Sequence, residues 1–436
     1  MTRLPEVDDY TPGHGDASYD VTHYDLDLTY KVEGNHLAGR AVLHCLAKDD
    51  LDRLSFDLHT LRVTKVTLDG SAVKYSHRKD RLSVRLKTEI TREQVFTITV
   101  QYSGHPVPLR SKTLGDAGWE ELTDGVIVAG QPHGAPSWFP CNDQPANKAS
   151  YRLTITAPTT HRVVSNGTLI SSRRHASSTT WVYDQPEPMA PYLATVQIGR
   201  YQLLELDATI PLSAAVPGGL VSQYDAAFGL QPEMLKVFTR LFGEYPFAGY
   251  TVVITEDELE IPLESQGLST FGANYLVTDW DAERLIAHEM SHQWFGNSLT
   301  LGQWCDIWLH EGFACYAEWL WSEESGKKSA HEQAIEHWDR LDALDQDLVL
   351  GDPGPELMFD DRVYKRGALL LHALRLTCGD DDFFELLKTW ATEHAHSTVS
   401  TQMFIAFVET STGCSLGSFF EEWLSEEALP ELPAAG

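Results

Sequence analysis

The chain has 436 residues, of which 42% are hydrophobic. This length and composition are typical of a globular protein with two or three domains. The formal net charge is −30. This negative charge argues against nucleic acid or an anionic membrane as a main partner. No apolar run approaches the roughly 18 residues that span a membrane, and the start lacks a basic and then apolar signal segment, so we expect a cytoplasmic location.

The first half of the chain alternates apolar and polar residues, which is the period of β-strands with one buried face. In the first such run, Tyr24, Leu26 and Leu28 fall on one side. Turn signals such as Asp69-Gly70 separate this run from later ones. The later runs are Ala41–Leu46, Leu54–Leu58, Val63–Leu68, Leu82–Leu86, Phe96–Tyr102, Tyr151–Thr156, Arg162–Ser165 and Thr180–Tyr183. We therefore expect an N-terminal antiparallel β-sandwich or saddle domain over residues 1–204.

The second half changes character and becomes mainly helical. Two predicted strands, Ala208–Val216 and Tyr250–Thr255, bracket a helical segment over Pro232–Phe242. Asp279 or Asp281 can cap the next helix, and Gly296 is placed to end it. The later predicted helices are Asp306–Glu323, Arg362–Thr377, Asp380–His394, Gln402–Thr410 and Leu416–Ser425. The predicted fold class is thus α+β and multidomain, with a second domain over residues 205–436.

A candidate metal site lies at the start of this helical region. His288 and His292 are four residues apart, so a helix places both imidazoles on one face, one turn apart. Glu289 follows the first histidine, within reach of a metal-bound water. Glu311, on the next predicted helix, supplies a third ligand and leaves a fourth position open. This set predicts a catalytic zinc site with one ion per chain.

Four segments in this order resemble the aminopeptidase N-type gluzincins, a family of zinc metallopeptidases that includes the leukotriene hydrolase. They are Phe139-Pro-Cys-Asn-Asp-Gln-Pro145, His288-Glu-Met-Ser-His-Gln-Trp-Phe-Gly-Asn297, Trp308-Leu-His-Glu-Gly-Phe-Ala314 and Val363-Tyr-Lys-Arg-Gly-Ala368. The resemblance covers nearly the whole chain and implies a thermolysin-like catalytic domain behind the β domain. Larger members of the family add further domains, so the chain resembles a short, two-domain member.

The resemblance also implies roles for individual residues. Tyr364 would direct its hydroxyl at the oxyanion that develops during hydrolysis. Glu264 would bind the α-ammonium group of a peptide, with Gln131 beside it, which confines cleavage to the first bond. Glu318, seven residues after Glu311, would orient one of the histidine ligands. The loop that contains Glu264 departs from the family pattern, because it carries Ile261, Pro262 and Ser265 in place of the usual residues.

These roles predict a zinc-dependent aminopeptidase. In this hypothesis Glu289 is the general base for a zinc-activated water, and the substrates are peptides with a free N-terminus. Two alternatives stay open. A zinc endopeptidase would cleave N-terminally blocked peptides, and a catalytically silent scaffold of the same fold would bind proteins without turnover. The complete set of His288, Glu289, His292, Glu311 and Tyr364 favours an enzyme over a scaffold.

Overall fold

The computed structural model describes residues 8–434, which form two compact units. The first contains the described residues up to Glu205 together with Ser213–Val221 and Ala248–Ala273. The second contains Leu206–Leu212, Ser222–Phe247 and the described residues from Asn274 onwards. The chain therefore passes between the units several times. The single domain boundary at 204/205 stays a prediction, and its outermost residues, 1–7 and 435–436, lie outside the described part.

The first unit is built from β-strands, as the period-two alternation predicts. Its strands before residue 200 are β1 (Tyr19–Lys31), β2 (His36–Ala47), β3 (Leu51–Asp57), β4 (Arg62–Leu68), β5 (Ser71–Ala72), β6 (Tyr75–Arg78), β7 (Arg81–Ile90), β8 (Val95–Gly104), β9 (Leu109–Ser111), β10 (Gly115–Leu122), β11 (Gly125–Ala129), β12 (Ala149–Pro158), β13 (Arg162–Ser165), β14 (Thr168–Arg174), β15 (Ser178–Met189) and β16 (Val196–Gly199).

The described strands of this unit assemble into several sheets. The largest has the order β14-β15-β12-β1-β2-β8-β4-β5, a second has the order β13-β16-β11-β10-β9, and a third the order β3-β7-β6. The antiparallel pairing expected from the sequence holds within the largest sheet except between β1 and β12, which run parallel with Leu26 opposite Leu153. Tyr24 lies buried on β1 and stacks on Tyr151 of β12 with ring centroids 4.8 Å apart. Truncating a fully buried leucine of this face, such as Leu26, to alanine costs about 2–5 kcal/mol of stability.

A smaller sheet follows in the order β17-β18-β19-β20. Its strands are β17 (Tyr201–Leu206), β18 (Leu212–Pro217), β19 (Tyr250–Ile254) and β20 (Leu268–Phe271). Strands β19 and β20 are parallel, and Val253 and Leu268 pack in one cluster with Val164 of β13. This cluster explains why residues 248–273 belong to the first unit: their apolar side chains complete its core.

The second unit is mainly helical. Its helices are α1 (Val221–Phe228), α2 (Gln231–Phe242), α3 (Trp280–Ser291), α4 (Trp308–Glu324), α5 (Ala330–Asp342), α6 (Asp361–Cys378), α7 (Asp380–Glu393), α8 (Thr401–Thr412) and α9 (Gly417–Leu424), and its short strands are β21 (Thr300–Leu301) and β22 (Thr398–Val399). The α+β fold class is therefore confirmed. Within residues 8–434, none of the helices combines the length and the apolar character that crossing a membrane requires.

Candidate active site

The helix that carries both histidines begins where the sequence predicts. The side chain of Asp279 accepts a hydrogen bond from the backbone N–H of Ala282 at 2.9 Å and so caps α3. Gly296 does not end the helix, because α3 ends at Ser291. His292 still has helical backbone angles, and its N–H bonds to the carbonyl of His288 at 3.2 Å. The one-turn spacing of the two imidazoles is thus preserved.

The structure brings the three predicted metal ligands together. The Nε2 atoms of His288 and His292 lie 3.3 and 3.5 Å from Oε2 of Glu311, which α4 contributes. One ligand atom from each of the three residues lies within 4.8 Å of the others, and all three side chains are buried.

The other nitrogen of each imidazole, Nδ1, forms a hydrogen bond within the protein. Nδ1 of His288 lies 2.8 Å from Oε1 of Glu318, and Nδ1 of His292 lies 3.0 Å from the carbonyl oxygen of Phe295. Each acceptor keeps the proton on Nδ1 and leaves the lone pair of Nε2 directed at the ligand cluster. Two imidazole nitrogens and one carboxylate oxygen fit Zn²⁺ with an open coordination position.

Charge explains how so many ionisable groups stay buried together. Burial alone would raise the pKa of Glu318, but Lys365, His288 and Arg284 lower it to about 2. Burial would also lower the pKa of His288, whereas its hydrogen bonds to Glu311 and Glu318 raise it to about 10. The Glu318 carboxylate is therefore held ionised, and a metal ion must displace a proton from His288 when it binds.

The predicted catalytic residues lie on the same two helices or on α6. Glu289 follows His288 on α3 and is 4% exposed. The ring of Tyr364 stacks on the imidazole of His288 with centroids 6.0 Å apart and an interplanar angle of 19°. Asp360 caps α6 by accepting the N–H of Arg362 at 3.0 Å, which fixes the turn that carries Tyr364. The tyrosine thus lies beside a predicted metal ligand.

The predicted amine-binding residues belong to the first unit. Gln131 follows β11, and Glu264 lies in the loop between β19 and β20 and is 9% exposed. A backbone bridge between Leu263 and Thr270 closes this loop. Within it, the N–H of Leu268 bonds to the carbonyl of Ser265, and Gly267 has φ +70°, a conformation that glycine adopts without strain. The backbone on both sides of Glu264 is therefore fixed.

A buried amide network attaches this loop to the larger sheets of the first unit. Asn166 donates from Nδ2 to the carbonyls of Gln266 and Leu193, at 2.8 and 3.0 Å, and accepts from the N–H of Thr195. Nε2 of Gln197 donates to the Thr270 hydroxyl at 3.0 Å. The hydroxyl of Thr195 in turn donates to the carbonyl of Val128 on β11, the strand that precedes Gln131. One network therefore positions both predicted amine-binding segments.

Sequence reasoning missed several residues around the site. Arg284 donates to Oε2 of Glu318 at 3.1 Å, and buried Lys365 lies near the same carboxylate. Arg284 lies one helical turn before His288, so the helical period could have identified it. Asn166 and Gln266 are 100 residues apart, and no local pattern joins them.

Two histidines four residues apart on one helix, with a glutamate ligand from the next, define the class of zinc metallopeptidases called gluzincins. The family model described as "Peptidase family M1 domain" matches residues 226–423, and the model "Peptidase M1 N-terminal domain" matches residues 20–193. The chain therefore belongs to peptidase family M1, and the resemblance seen in the sequence is confirmed. The family uses one zinc ion, which confirms the predicted cofactor.

Solved structures match the chain from end to end. An M1 zinc metallopeptidase from Deinococcus radiodurans superimposes with a TM-score of 0.90 at 30% identity, covering 98% of this chain and 99% of that one. A mutant form from the same organism, bound to a Tyr-Ser-Ala substrate, has a TM-score of 0.91 at 29% identity with the same coverage.

Curated relatives are longer. The leucyl aminopeptidase of Saccharolobus solfataricus is 21% identical over 94% of this chain and 54% of its own length. The aminopeptidase N of Lactococcus lactis subsp. lactis is 24% identical over 96% of this chain and 52% of its own length. The chain thus spans about half the length of these relatives.

Proposed function

We propose that this chain is a zinc-dependent aminopeptidase that hydrolyses the first peptide bond of peptides with a free N-terminus. The observation that carries the proposal is the ligand cluster of His288, His292 and Glu311, with Glu318 behind His288 and the Tyr364 ring stacked on it. Relatives named as aminopeptidases and a neighbour solved with a tripeptide support the same activity. A cytoplasmic location stays a prediction.

The mechanism gives each of these side chains a separate task. Zinc held by His288, His292 and Glu311 would supply a Lewis acid and a water of lowered pKa. Glu289 takes the proton of the attacking water and passes it to the leaving amine nitrogen. The Tyr364 hydroxyl donates a hydrogen bond to the oxyanion that forms from the carbonyl oxygen.

Specificity for the first bond depends on Glu264 and Gln131. The Glu264 carboxylate pairs with the α-ammonium group of the substrate, and the Gln131 side-chain carbonyl accepts a further hydrogen bond from it. A blocked amine lacks this positive charge and leaves the carboxylate unpaired, so N-acetylated substrates bind poorly. Ile261 belongs to the same loop as Glu264 and is 61% exposed.

The experiment that tests the proposal compares a panel of fluorogenic aminoacyl amides, each with a free or an N-acetylated amine. We expect turnover of the free-amine set only, and loss of turnover with a zinc chelator. The variant Glu289→Gln keeps the size of the side chain and removes the base, so its kcat should fall by roughly 10²–10⁴-fold while zinc stays bound.

Two results would redirect the proposal. Cleavage of acetylated substrates at comparable rates would identify an endopeptidase and make Glu264 incidental. A zinc-loaded protein that turns over no member of the panel would favour the silent scaffold.

A further inference from the structure

The first unit contains a cleft of about 480 Å³ that the proposed function does not use. One wall comes from the end of β14 and the start of β15, and the other from the turn before β13, the start of β13 and the start of β17. Next to the cleft, the hydroxyl of Tyr183 on β15 donates to the carbonyl of Val163 on β13 at 2.8 Å, which joins the two walls. The whole lining belongs to the first unit, whereas His288, His292 and Glu311 belong to the second.

The strand register places four side chains of the first wall on one face. Arg174 lies opposite Thr179, and Ser172 lies opposite Trp181. Because side chains alternate between the two faces of a sheet, Arg173 points to the opposite face and does not line the cleft. The indole of Trp181, which is 6% exposed, gives this wall an apolar surface.

The charge of this cleft is opposite to that of the chain. Acidic residues outnumber basic ones by 63 to 33 in the whole sequence, yet the lining contains three arginines and neither aspartate nor glutamate. The arginines are Arg162, Arg174 and Arg200. Within residues 8–434, Arg162 and Arg174 form no ion pair with an acidic side chain. The donors of these two guanidinium groups are therefore available to a ligand.

Arg200 has an acidic partner, Asp124, which lies beside the cleft. Nε of Arg200 donates to Oδ2 of Asp124, and Nε2 of His161 lies 2.8 Å from Oδ1 of the same carboxylate. These two hydrogen bonds lower the pKa of Asp124, which is therefore ionised at neutral pH. The terminal amino groups of Arg200 keep their donors, because this contact engages only Nε. With His161 counted as neutral, three arginines and one aspartate leave two net positive charges.

Two unbalanced positive charges favour a ligand with two negative ones. A phosphate monoester carries about −1.5 to −2 charges at neutral pH and offers three acceptor oxygens, whereas a carboxylate offers a single charge and two oxygens. Guanidinium groups bind phosphate through paired N–H donors, and three such groups line this cleft. The hydroxyls of Thr159, Thr179 and Ser172 add neutral donors beside them.

We propose that this cleft binds the phosphate group of a small phosphate monoester, and that the organic part of the ligand packs against Trp181. The volume of the cleft falls within the range of roughly 300–1,000 Å³ that is usual for small-molecule sites. The proposal does not depend on the aminopeptidase activity, because the cleft shares no residue with the zinc ligands or with Glu264 and Gln131.

Isothermal titration calorimetry of the zinc-loaded protein tests this assignment with three probes: phenyl phosphate, inorganic phosphate and benzoate. We expect one phenyl phosphate to bind per chain, at least roughly tenfold more tightly than benzoate, which has the same ring but a single charge. Inorganic phosphate lacks the ring and should bind more weakly than phenyl phosphate. Equal affinities of the two phosphates would overturn the assignment to an ester, because free phosphate would then account for the site.

Two variants locate the binding. Arg174→Gln removes an exposed side chain that forms no ion pair within residues 8–434, so the variant should fold, and its affinity for phenyl phosphate should fall roughly tenfold. The double variant Arg162→Gln with Arg174→Gln should lower that affinity by about 100-fold. Arg173→Gln is the matched control, because it removes the same charge from the adjacent position of β14 on the opposite face. Turnover of a fluorogenic leucine amide in phosphate-free buffer should be the same in the wild-type protein and in all three variants.

Three results would overturn the assignment. Benzoate binding as tightly as phenyl phosphate would remove the argument for a ligand with two negative charges. An unchanged affinity in the double variant would place the bound phosphate elsewhere, for example on the zinc ion. An equal loss of affinity in Arg173→Gln and Arg174→Gln would mean that the general positive charge of β14, rather than the cleft, attracts the ligand.

Discussion

Gly312 and Gly367 meet where two helices of the second unit cross, and a Cβ atom on Gly312 would lie 2.8 Å from the Cα atom of Gly367. Gly312 follows Glu311 on α4, and Gly367 lies three residues after Tyr364 on α6. The crossing therefore sets the distance between the helix that carries Glu311 and the helix that carries Tyr364. Any side chain at either position forces the two backbones apart.

The variant Gly312→Ala tests this contact. Overpacking should lower the free energy of unfolding by about 1–3 kcal/mol, measured by denaturant titration, and should reduce kcat by displacing Glu311 relative to Tyr364. Gly417→Ala is the control, because Gly417 at the start of α9 has open space around its Cβ position. Equal stability and turnover of Gly312→Ala and the wild-type protein would show that the crossing tolerates a methyl group.

The hydrogen bond between Glu318 and His288 leads to a second prediction. Glu318→Gln keeps the shape of the side chain but removes the charge that fixes Nδ1–H of His288 and balances Arg284. Zinc affinity should weaken roughly 10- to 100-fold, measured by competition with a chromophoric chelator. Glu324→Gln, at the end of the same helix and paired with Arg240, should bind zinc like the wild-type protein. An unchanged affinity in Glu318→Gln would make that carboxylate a structural residue only.

Local patterns predicted most of what this site contains, and contacts distant in sequence account for the rest. His288 and His292 follow from helical spacing, and the Asp279 cap follows from the preference of helix starts for aspartate. The predicted end of α3 at Gly296 is wrong by several residues, because the helix ends at Ser291 with His292 as its C-cap.

Contacts between elements distant in the chain could not be predicted from the sequence. The bond between Asn166 and Gln266 joins residues 100 positions apart, and the Gly312–Gly367 crossing joins two helices that no spacing rule connects. Sequence periodicity reports which face of an element is buried, but not which element covers it.

The Asn166 network gives a third prediction, which separates positioning from stability. Asn166→Ala removes donors to Gln266 and Leu193 and should raise KM for free-amine substrates while leaving zinc affinity unchanged. Asn147→Ala is the matched control, because Asn147 is also a buried asparagine of the first unit and bonds to the backbone of Val21.

Both variants should lose stability by about 1–3 kcal/mol for each polar group left unsatisfied. Only Asn166→Ala should change KM. An equal rise of KM in both variants would mean that general loosening of the first unit, rather than the loop of Glu264, is responsible.

The last prediction concerns pH and rests on His372, which is 2% exposed on α6 and lies 3.2 Å from the Tyr316 hydroxyl. Burial lowers its pKa from 6.5 to about 3, so the folded protein keeps it neutral while the unfolded chain takes up a proton. The stabilisation is complete above pH 6.5 and is lost as pH falls from 6.5 towards 3, by about 1.4 kcal/mol per pH unit.

His372→Gln should therefore reduce the decline of unfolding free energy between pH 6.5 and 4.5, measured by denaturant titration. The proposed metal ligands are the same in both proteins, so their contribution cancels in the difference between the two slopes. A His372→Gln slope equal to that of the wild-type protein would mean that His372 is protonated in the folded state over this range.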